Sequence, residues 1–302
     1  MFLSAAAIAM CSAGVLVLAI GLWSGKAQIA AGRGIEKVVT LHRVCFATPL
    51  AVFGALHLFA PEFILPLVPK VLPWPMVWVY GIGCALLAAS LSITTGRVVH
   101  WSGLLFGLMM LLFVLILFVP VALRHPGDRM GWTFVCRETS FGGGAWMLAG
   151  VAGAAGAASN GWPAHNRRVL LAAGRALVIP ALLLFGVEQM LHPTLLPGVP
   201  LRKEMPEWVP VRVLIDYVTG AALIVAGGSV LLQRNTRLVA GWVGAWLLLL
   251  VIVIYGPVMI LALGRPELAV QVEGINYFAD TLLFAGVILV LSEASPPAKD
   301  LL

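Results

Sequence analysis

The chain has 302 residues, of which 61% are hydrophobic and only 11% are charged. Soluble domains carry about 25% charged residues and disordered chains are poor in apolar ones, so this composition excludes both classes. The net charge of +6 is small for this length, and no basic stripe with interleaved aromatic residues supports nucleic-acid binding. The four cysteines stand singly, without the close pairs that dithiol redox enzymes and zinc ribbons need.

Apolar segments of about 20 residues follow one another along the chain, a pattern typical of transmembrane helices. The first segment has no Lys or Arg before Lys26, so we interpret it as a helix rather than a cleaved signal peptide. The sequence therefore predicts an all-α, multi-pass membrane protein with about nine spans. We place these spans at residues 3–23, 43–60, 76–94, 101–123, 136–157, 169–191, 211–232, 238–263 and 275–291.

The basic residues favour one side of the predicted membrane. With nine spans, 11 of the 19 Lys and Arg residues fall on the side that carries the odd-numbered loops and the C-terminus, with 3 of the 13 acids. Basic residues accumulate on the cytoplasmic side of membrane proteins. We therefore expect the N-terminus outside and the C-terminus, including Lys299, in the cytoplasm.

The sequence also repeats itself. Arg43 and Phe53-Gly54 recur as Arg175 and Phe185-Gly186, with the same separation between the arginine and the phenylalanine. Later landmarks recur after loop insertions, namely Gly83 and Gly220, Pro120 and Pro257, and Glu138 and Asp280. Because each unit has four spans, the two units should run in the same direction. We predict an N-terminal helix and basic loop in 1–42, a first four-helix unit in 43–157, and a second four-helix unit with a short tail in 158–302.

Ionisable groups inside a bilayer are energetically costly, so each of them is a candidate functional residue. Here they concentrate within one or two helical turns of the predicted outer ends of the spans. Glu188 and His192 are four residues apart and therefore project from the same helix face. We predict that catalytic proton exchange falls to Glu138, Glu188, His192 and Asp280. We predict that a ligand is held by His57, Trp78, Tyr80, Asp216, Tyr217 and Tyr255.

Three interpretations of these polar side chains remain open at the level of sequence. They could pair with Arg137, Arg212 and one another, and so hold helix ends together. They could instead converge on a redox or ligand-binding site, or supply ligands to a metal ion, although we assign no residue to a metal site. If they form a ligand site, we expect an outward-opening pocket walled by Trp74, Trp78 or Trp208.

Two stretches of the chain resemble a known family. In the first unit a Gly-x-x-His motif ends a helix, and a Val-Pro…Leu-Pro loop leads into a helix rich in glycine; the residues are Gly54-Ala-Leu-His57, Val68-Pro69, Leu72-Pro73 and Trp78-Val-Tyr-Gly-Ile-Gly83. The second unit is similar, with Gly186-Val-Glu-Gln189, Val199-Pro200 and Tyr217-Val-Thr-Gly220. These motifs look like those of the DoxX-like integral membrane proteins. One position departs from the pattern, because Gln189 stands where the motif has histidine.

The resemblance covers both four-helix units but not the first span, and it implies that two DoxX-like four-helix bundles follow the N-terminal helix. The family includes a subunit of a thiosulfate:quinone oxidoreductase, and relatives assist the maturation of other membrane or periplasmic proteins. We therefore expect a redox-associated protein of the inner (cytoplasmic) membrane that binds quinone or a small hydrophobic molecule and works with membrane or periplasmic partner subunits. The alternative is a non-catalytic structural or assembly subunit of a larger membrane complex. A permease is disfavoured, because helices broken in mid-membrane and mid-membrane charges are lacking.

Overall fold

Helices account for the regular structure in residues 3–155 and 163–296, the two ranges that the computed structural model describes, apart from one isolated β-bridge between Leu195 and Glu204. The helices in these ranges are α1 Ala5–Ala31, α2 Ile35–Val39, α3 His42–Phe59, α4 Pro75–Thr95, α5 Val99–Arg124, α6 Arg129–Ala155, α7 Ala164–Leu191, α8 Arg212–Leu231, α9 Thr236–Leu263 and α10 Leu268–Glu293. The last two residues of the predicted fifth span and Lys299 lie outside the described residues.

Eight helical segments in the described ranges are long and apolar enough to cross a membrane. They are α1, the segment Ile35–Phe59, α4, α5 and α7 to α10. The remaining long helix, α6, has 27 residues but carries Arg129, Arg137, Glu138 and a run of glycines, which lower its hydropathy. The protein is therefore a multi-pass helical membrane protein, as predicted, and the count of nine spans stays a prediction.

Several helices extend beyond the predicted apolar spans. α6 begins seven residues earlier than predicted, after Asp128, whose side chain accepts a hydrogen bond from the Met130 N–H. α10 likewise begins at Leu268 instead of residue 275, and α1 continues to Ala31 instead of ending at residue 23. Polar residues end the apolar pattern without ending the helix, since Lys, Gln, Arg and Ala are good helix formers.

The two most buried long helices, α3 and α10, lie at the centre of the bundle. α10 packs against α1, α3, α6 and α9, while α6 packs against α5, α7 and α10. Glycines allow the closest approaches. A Cβ atom placed on Gly174 of α7 would lie 2.5 Å from the Gly143 oxygen of α6, and one on Gly286 of α10 would lie 2.9 Å from the Cys45 carbonyl carbon of α3. The last helix of each predicted unit thus packs on the first helix of the other.

Irregular backbone features of the first half of the chain recur in the second half, always after the same number of residues. α5 and α9 each contain a π-helical turn, at Val114–Phe118 and Val251–Tyr255, two residues before Pro120 and Pro257. Proline lacks the N–H donor and crowds the preceding turn, which explains the local widening. Residues with positive φ precede α4, α5, α8 and α9, and they form the pairs Trp74 and Val211, and Val98 and Asn235. The same length of chain separates the two members of each pair, and it also separates Pro120 from Pro257.

The helix crossings of the two halves also match. In the first half, a Cβ atom on Gly83 would meet the His57 Cβ at 2.8 Å, and in the second half one on Gly220 would meet the Gln189 Cβ at 3.0 Å. Gln189 therefore occupies the position that His57 has in the first half. These matched contacts support two related units, whose boundaries stay a prediction.

Candidate functional site

The connections 60–74 and 192–211 lie at one end of the bundle, which we call the long-loop end, because Phe63 and Leu201 line the same cavity there. The opposite end carries the tight turns α4–α5 and α8–α9, and we call it the short-loop end. Most of the predicted site residues lie towards the long-loop end.

An ion network joins α6 and α10 near the long-loop end. The Arg137 guanidinium donates from Nη2 to Glu138 Oε1 at 2.6 Å and from Nη1 to Asp280 Oδ2 at 2.9 Å. All three side chains are largely buried, since their exposed fractions are 13%, 11% and 11%. One cation therefore serves two buried carboxylates, and the network carries a formal charge of −1 when both are ionised. Charge-assisted hydrogen bonds of this kind fix the positions of the carboxylates.

A second ion pair ties α6 and α7 to the loop that follows α7. Arg129 Nη1 lies 3.2 Å from Glu188 Oε2 and donates to the Pro200 carbonyl at 2.6 Å. The His192 ring is half-exposed, with its Nε2 atom 3.8 Å from the same Glu188 oxygen. Arg129 therefore anchors the loop and neutralises Glu188, and His192 stands at the surface beside them.

A cavity of about 290 Å³ lies between the two long loops and the start of α10. Its walls and floor include Phe63, Leu201, Val272, Asn276, Tyr277 and Asp280. The Asn276 Oδ1 atom is buried and has no hydrogen-bond partner among the described residues. The size is near the lower end of the range for small-molecule sites, and apolar walls with a few polar groups are typical of them.

The aromatic wall of this cavity differs from the prediction. Phe63 and Tyr277 line it, whereas Trp74, Trp78 and Trp208 do not belong to its lining. The Trp78 indole N–H donates instead to the Pro73 carbonyl at 3.0 Å, and its side chain is exposed on the outside of the helices. Tryptophan prefers the membrane interface, which accounts for this placement.

Asp216 lies in a separate buried group in the second half. It is fully buried on α8, and neither of its carboxylate oxygens has a hydrogen-bond partner among the described residues. Gln189 Oε1 on the neighbouring α7 is also buried and unpartnered there. The Tyr255 hydroxyl, within electrostatic range of Asp216, donates to the Pro197 carbonyl at 2.7 Å. Residues 195–201, which are buried throughout, therefore cover this group.

The remaining predicted ligand-binding residues are not brought together. His57 Nδ1 lies 2.7 Å from the Phe53 carbonyl of its own helix, one turn away. Tyr80 and Tyr217 are exposed on the outside of α4 and α8. In the first half, Val79 and Phe118 correspond to Asp216 and Tyr255. The members of each pair are as far apart in the sequence as Pro120 is from Pro257. The buried polar group is therefore confined to the second half.

Sequence reasoning missed Arg129 and placed Arg212 differently. Arg129 lies seven residues before the predicted fifth span, in a segment expected to be a loop, but the helix extends far enough to bring it to Glu188. Arg212, which one of the three interpretations paired with these acids, donates to the Met205 carbonyl at 3.3 Å. The sequence feature that could have indicated a role for Arg129 is its position about two helical turns before the predicted span that carries Arg137.

We expect Asp216→Asn to stabilise the folded protein. An unpartnered buried carboxylate costs more than an unpartnered amide, so the gain in unfolding free energy should be on the order of 1–3 kcal/mol. Thermal unfolding of the purified protein in detergent would measure this gain as a raised Tm. Glu207→Gln, at an exposed acid of the same end, should leave Tm unchanged. A lowered Tm for Asp216→Asn would contradict the prediction, because it would mean that the native carboxylate has a stabilising partner.

The long-loop end thus offers two features with different chemistry. The cavity at Asp280 combines apolar walls, the Asn276 amide and the arginine-held carboxylate of Asp280, which suits a small molecule with polar oxygens. The group around Asp216 is covered by the loop and consists of a carboxylate, an amide and a hydroxyl group. In comparisons with known proteins, the chain matches no protein-family model, no curated protein and no solved structure.

Proposed function

We propose that this multi-pass membrane protein consists of two DoxX-like four-helix units and binds quinone or another small hydrophobic molecule in the cavity at the long-loop end. The observation that carries the proposal is the position of Asp280, which both lines the cavity and belongs to the Arg137 network. A ligand in the cavity would therefore contact a group that can exchange protons. The protein would act in a redox system whose electron donor is a membrane or periplasmic partner subunit.

The chemistry of a quinone fits the residues that line the cavity. Its ring is flat and apolar and would pack against Phe63, Val272 and Leu201, while its carbonyl oxygens accept hydrogen bonds. The Asn276 amide N–H groups are donors at the same wall. Asp280 lines the cavity and would exchange protons with the ligand. Glu138 would take part through the Arg137 network, which holds both acids in place.

Glu188 and His192 belong to the same proposal at the surface. Their imidazole and carboxylate groups lie within 3.8 Å of each other, and Arg129 links Glu188 to Leu201 of the cavity wall through the loop carbonyls. The His192 ring is half-exposed and so reaches the aqueous side. The pair would therefore connect the cavity region with the aqueous side, and Tyr255, which donates to the Pro197 carbonyl, would position the loop beside it.

We expect Asp280→Asn to weaken binding of a short-chain quinone in its reduced, quinol form by about tenfold, because the quinol hydroxyl donates a charge-assisted hydrogen bond to the Asp280 carboxylate and one such contact contributes about 1.5–3 kcal/mol. Arg137 keeps Glu138 as a partner in this variant, so folding should be preserved. Equilibrium dialysis of decylubiquinone, kept reduced as decylubiquinol, against the detergent-solubilised protein would measure the affinity.

Glu207→Gln serves as the matched control for this experiment, since it removes an exposed acid from the same end of the molecule. It should bind the quinone like the wild type. Equal affinities of the wild type and Asp280→Asn would refute the cavity as the quinone site, as would the absence of quinone binding by the wild type.

A second candidate function is that of a non-catalytic structural or assembly subunit. Its support is that Glu138, Glu188 and Asp280 each already have an arginine partner, as expected of side chains that hold helix ends together. Purification in mild detergent separates the two proposals. Stable co-purification of other membrane subunits, without quinone and without quinone affinity, would favour the assembly role.

We further propose that the protein lies in the cytoplasmic membrane with its N-terminus outside, its C-terminus inside and its long-loop end outside. The support is the distribution of basic residues. The short-loop end carries Lys26, Arg33, Lys37, Arg97 and Arg234 close to the helix ends. Basic residues of short loops favour the cytoplasmic side.

A further inference from the structure

A second cavity, of about 370 Å³, lies at the short-loop end between α7 and the α8–α9 turn. Its apolar wall includes Ala176, Ile179 and Leu231, and its polar part includes Arg175, Gln233 and Thr236. A cavity with one apolar side and one polar side at the end of membrane helices suits an amphipathic ligand. The proposed quinone site lies at the other end of the bundle and shares no residue with this cavity.

The guanidinium of Arg175 in this cavity is not neutralised by a carboxylate among the described residues. Its Nη2 atom donates to the Ala294 carbonyl, and its buried Nε has no partner there. By contrast, Arg129, Arg137 and Arg237 each contact a carboxylate. A guanidinium has five N–H donors in a fork that matches phosphate oxygens. Arg175 therefore places beside the cavity a positive charge that no carboxylate of the described residues neutralises.

The corresponding groove of the first half is covered by α1. A Cβ atom on Gly21 would lie 2.9 Å from Val44, and the Ser24 hydroxyl donates to the Thr94 carbonyl at 3.2 Å. The residues that correspond to Val44 and Thr94 are Ala176 and Leu231, which line the second cavity. Only eight residues connect α6 and α7, too few for a counterpart of the long helix α1. Within the described residues, the second half therefore has the groove without a covering helix.

We propose that this groove binds an anionic phospholipid, with the phosphate on Arg175 and an acyl chain along Ala176 and Leu231. The charge of Arg175 selects an anion, and the apolar wall selects its attached hydrocarbon. Basic pockets between membrane helices on the side where Lys and Arg accumulate are suited to anionic head groups. The lipid fills the place that α1 fills in the first half, and it supplies the negative charge that α1 lacks.

The test compares lipid binding by three proteins in native mass spectrometry. Full-length protein in mild detergent is titrated with phosphatidylglycerol or with phosphatidylcholine of the same acyl chains. The wild type is expected to retain phosphatidylglycerol preferentially, and Arg175→Gln is expected to bind it about tenfold more weakly. The matched control is Arg43→Gln, which changes the equivalent arginine beneath the groove that α1 covers. This control should retain the wild-type affinity within about twofold, because no lipid enters its groove.

A third variant keeps the proposal testable if Arg175→Gln does not fold. Ala176→Phe leaves the arginine intact but fills the apolar side of the groove, and it should also lose the preferential binding. Inorganic phosphate is added in a separate titration. Equal binding of the two lipids by the wild type, or unchanged phosphatidylglycerol binding in both cavity variants, would overturn the proposal. Displacement of the lipid by millimolar phosphate would assign the site to the free anion and would overturn the lipid assignment as well.

Discussion

Arg137→Gln is expected to destabilise the folded protein by about 3–5 kcal/mol, a loss of roughly 10 °C in Tm. Removing the cation leaves Glu138 and Asp280 buried side by side without a positive partner. Two unneutralised carboxylates repel each other and lack water to solvate them. Thermal unfolding in detergent, followed by circular dichroism, would measure the change.

Two further variants make this expectation specific. Arg212→Gln removes an exposed arginine that, within the described part of the chain, donates to a backbone carbonyl and not to an acid, so the Tm of this variant should stay within about 2 °C of the wild type. A triple variant with Arg137→Met, Glu138→Gln and Asp280→Asn removes the charges together and should recover most of the lost stability. If Arg137→Gln unfolds at the wild-type temperature, the network does not stabilise the contact between α6 and α10.

Gly174→Leu is expected to abolish the folded protein or lower its yield severely. Even a Cβ atom at this position would lie 2.5 Å from the Gly143 oxygen and 3.0 Å from the Met147 nitrogen, and backbone atoms cannot turn aside as a side chain can. α6 and α7 would have to separate along much of their contact, with a loss above the usual cost of overpacking, about 1–3 kcal/mol. Size-exclusion chromatography of the detergent extract would report the folded fraction.

Gly81→Leu is the matched control for this experiment, because a Cβ atom on Gly81 of α4 would meet nothing within 4 Å. Leucine is also a better helix former than glycine. This variant should extract and elute like the wild type. A normal elution profile for Gly174→Leu would mean that α6 and α7 do not pack as closely as their glycines indicate.

Much of the fold follows from the hydrophobic pattern, because a helix in lipid must satisfy its own backbone and therefore appears as a long apolar run. The ends of the helices did not follow from that pattern. Arg129 lies outside its apolar run, yet it is helical and reaches Glu188. The π-turns before Pro120 and Pro257 were also not predicted, since the apolar composition of a helix does not reveal how its hydrogen bonds adapt to proline.

The candidate site was harder to predict because helices that are apolar on all faces do not reveal which face meets lipid. Trp78, Tyr80 and Tyr217 were assigned to a ligand site because they lie at the same predicted depth in the membrane as the acids. Their side chains are instead exposed on the outside of the bundle. The sequence repeat predicts that Glu138 and Asp280 occupy equivalent positions in the two halves, and the structure brings both acids to Arg137. Their neutralising partner follows only from the packing of α6 on α10.

The two long loops illustrate the same limit. Both are rich in Pro, Leu and Val, but residues 195–201 are buried while most of 60–74 is not. The difference depends on remote side chains, since Tyr255 and Arg129 hold the second loop by its carbonyl groups. Phe118, which corresponds to Tyr255, has no hydroxyl group to do the same for the first loop.

The single cation between Glu138 and Asp280 is an arrangement that a pair of identical chains cannot form. Arg137 directly precedes Glu138, but the residue that directly precedes Asp280 is Ala279, so the second half has no counterpart of the arginine. In a homodimer related by a two-fold axis, every residue at the axis occurs twice, so each acid would bring its own arginine or neither would have one. Two arginines would crowd the axis with like charges, and none would leave the acids unneutralised. Joining both halves in one polypeptide allows an odd number of charges at this contact, and so allows each half to be optimised without constraining the other.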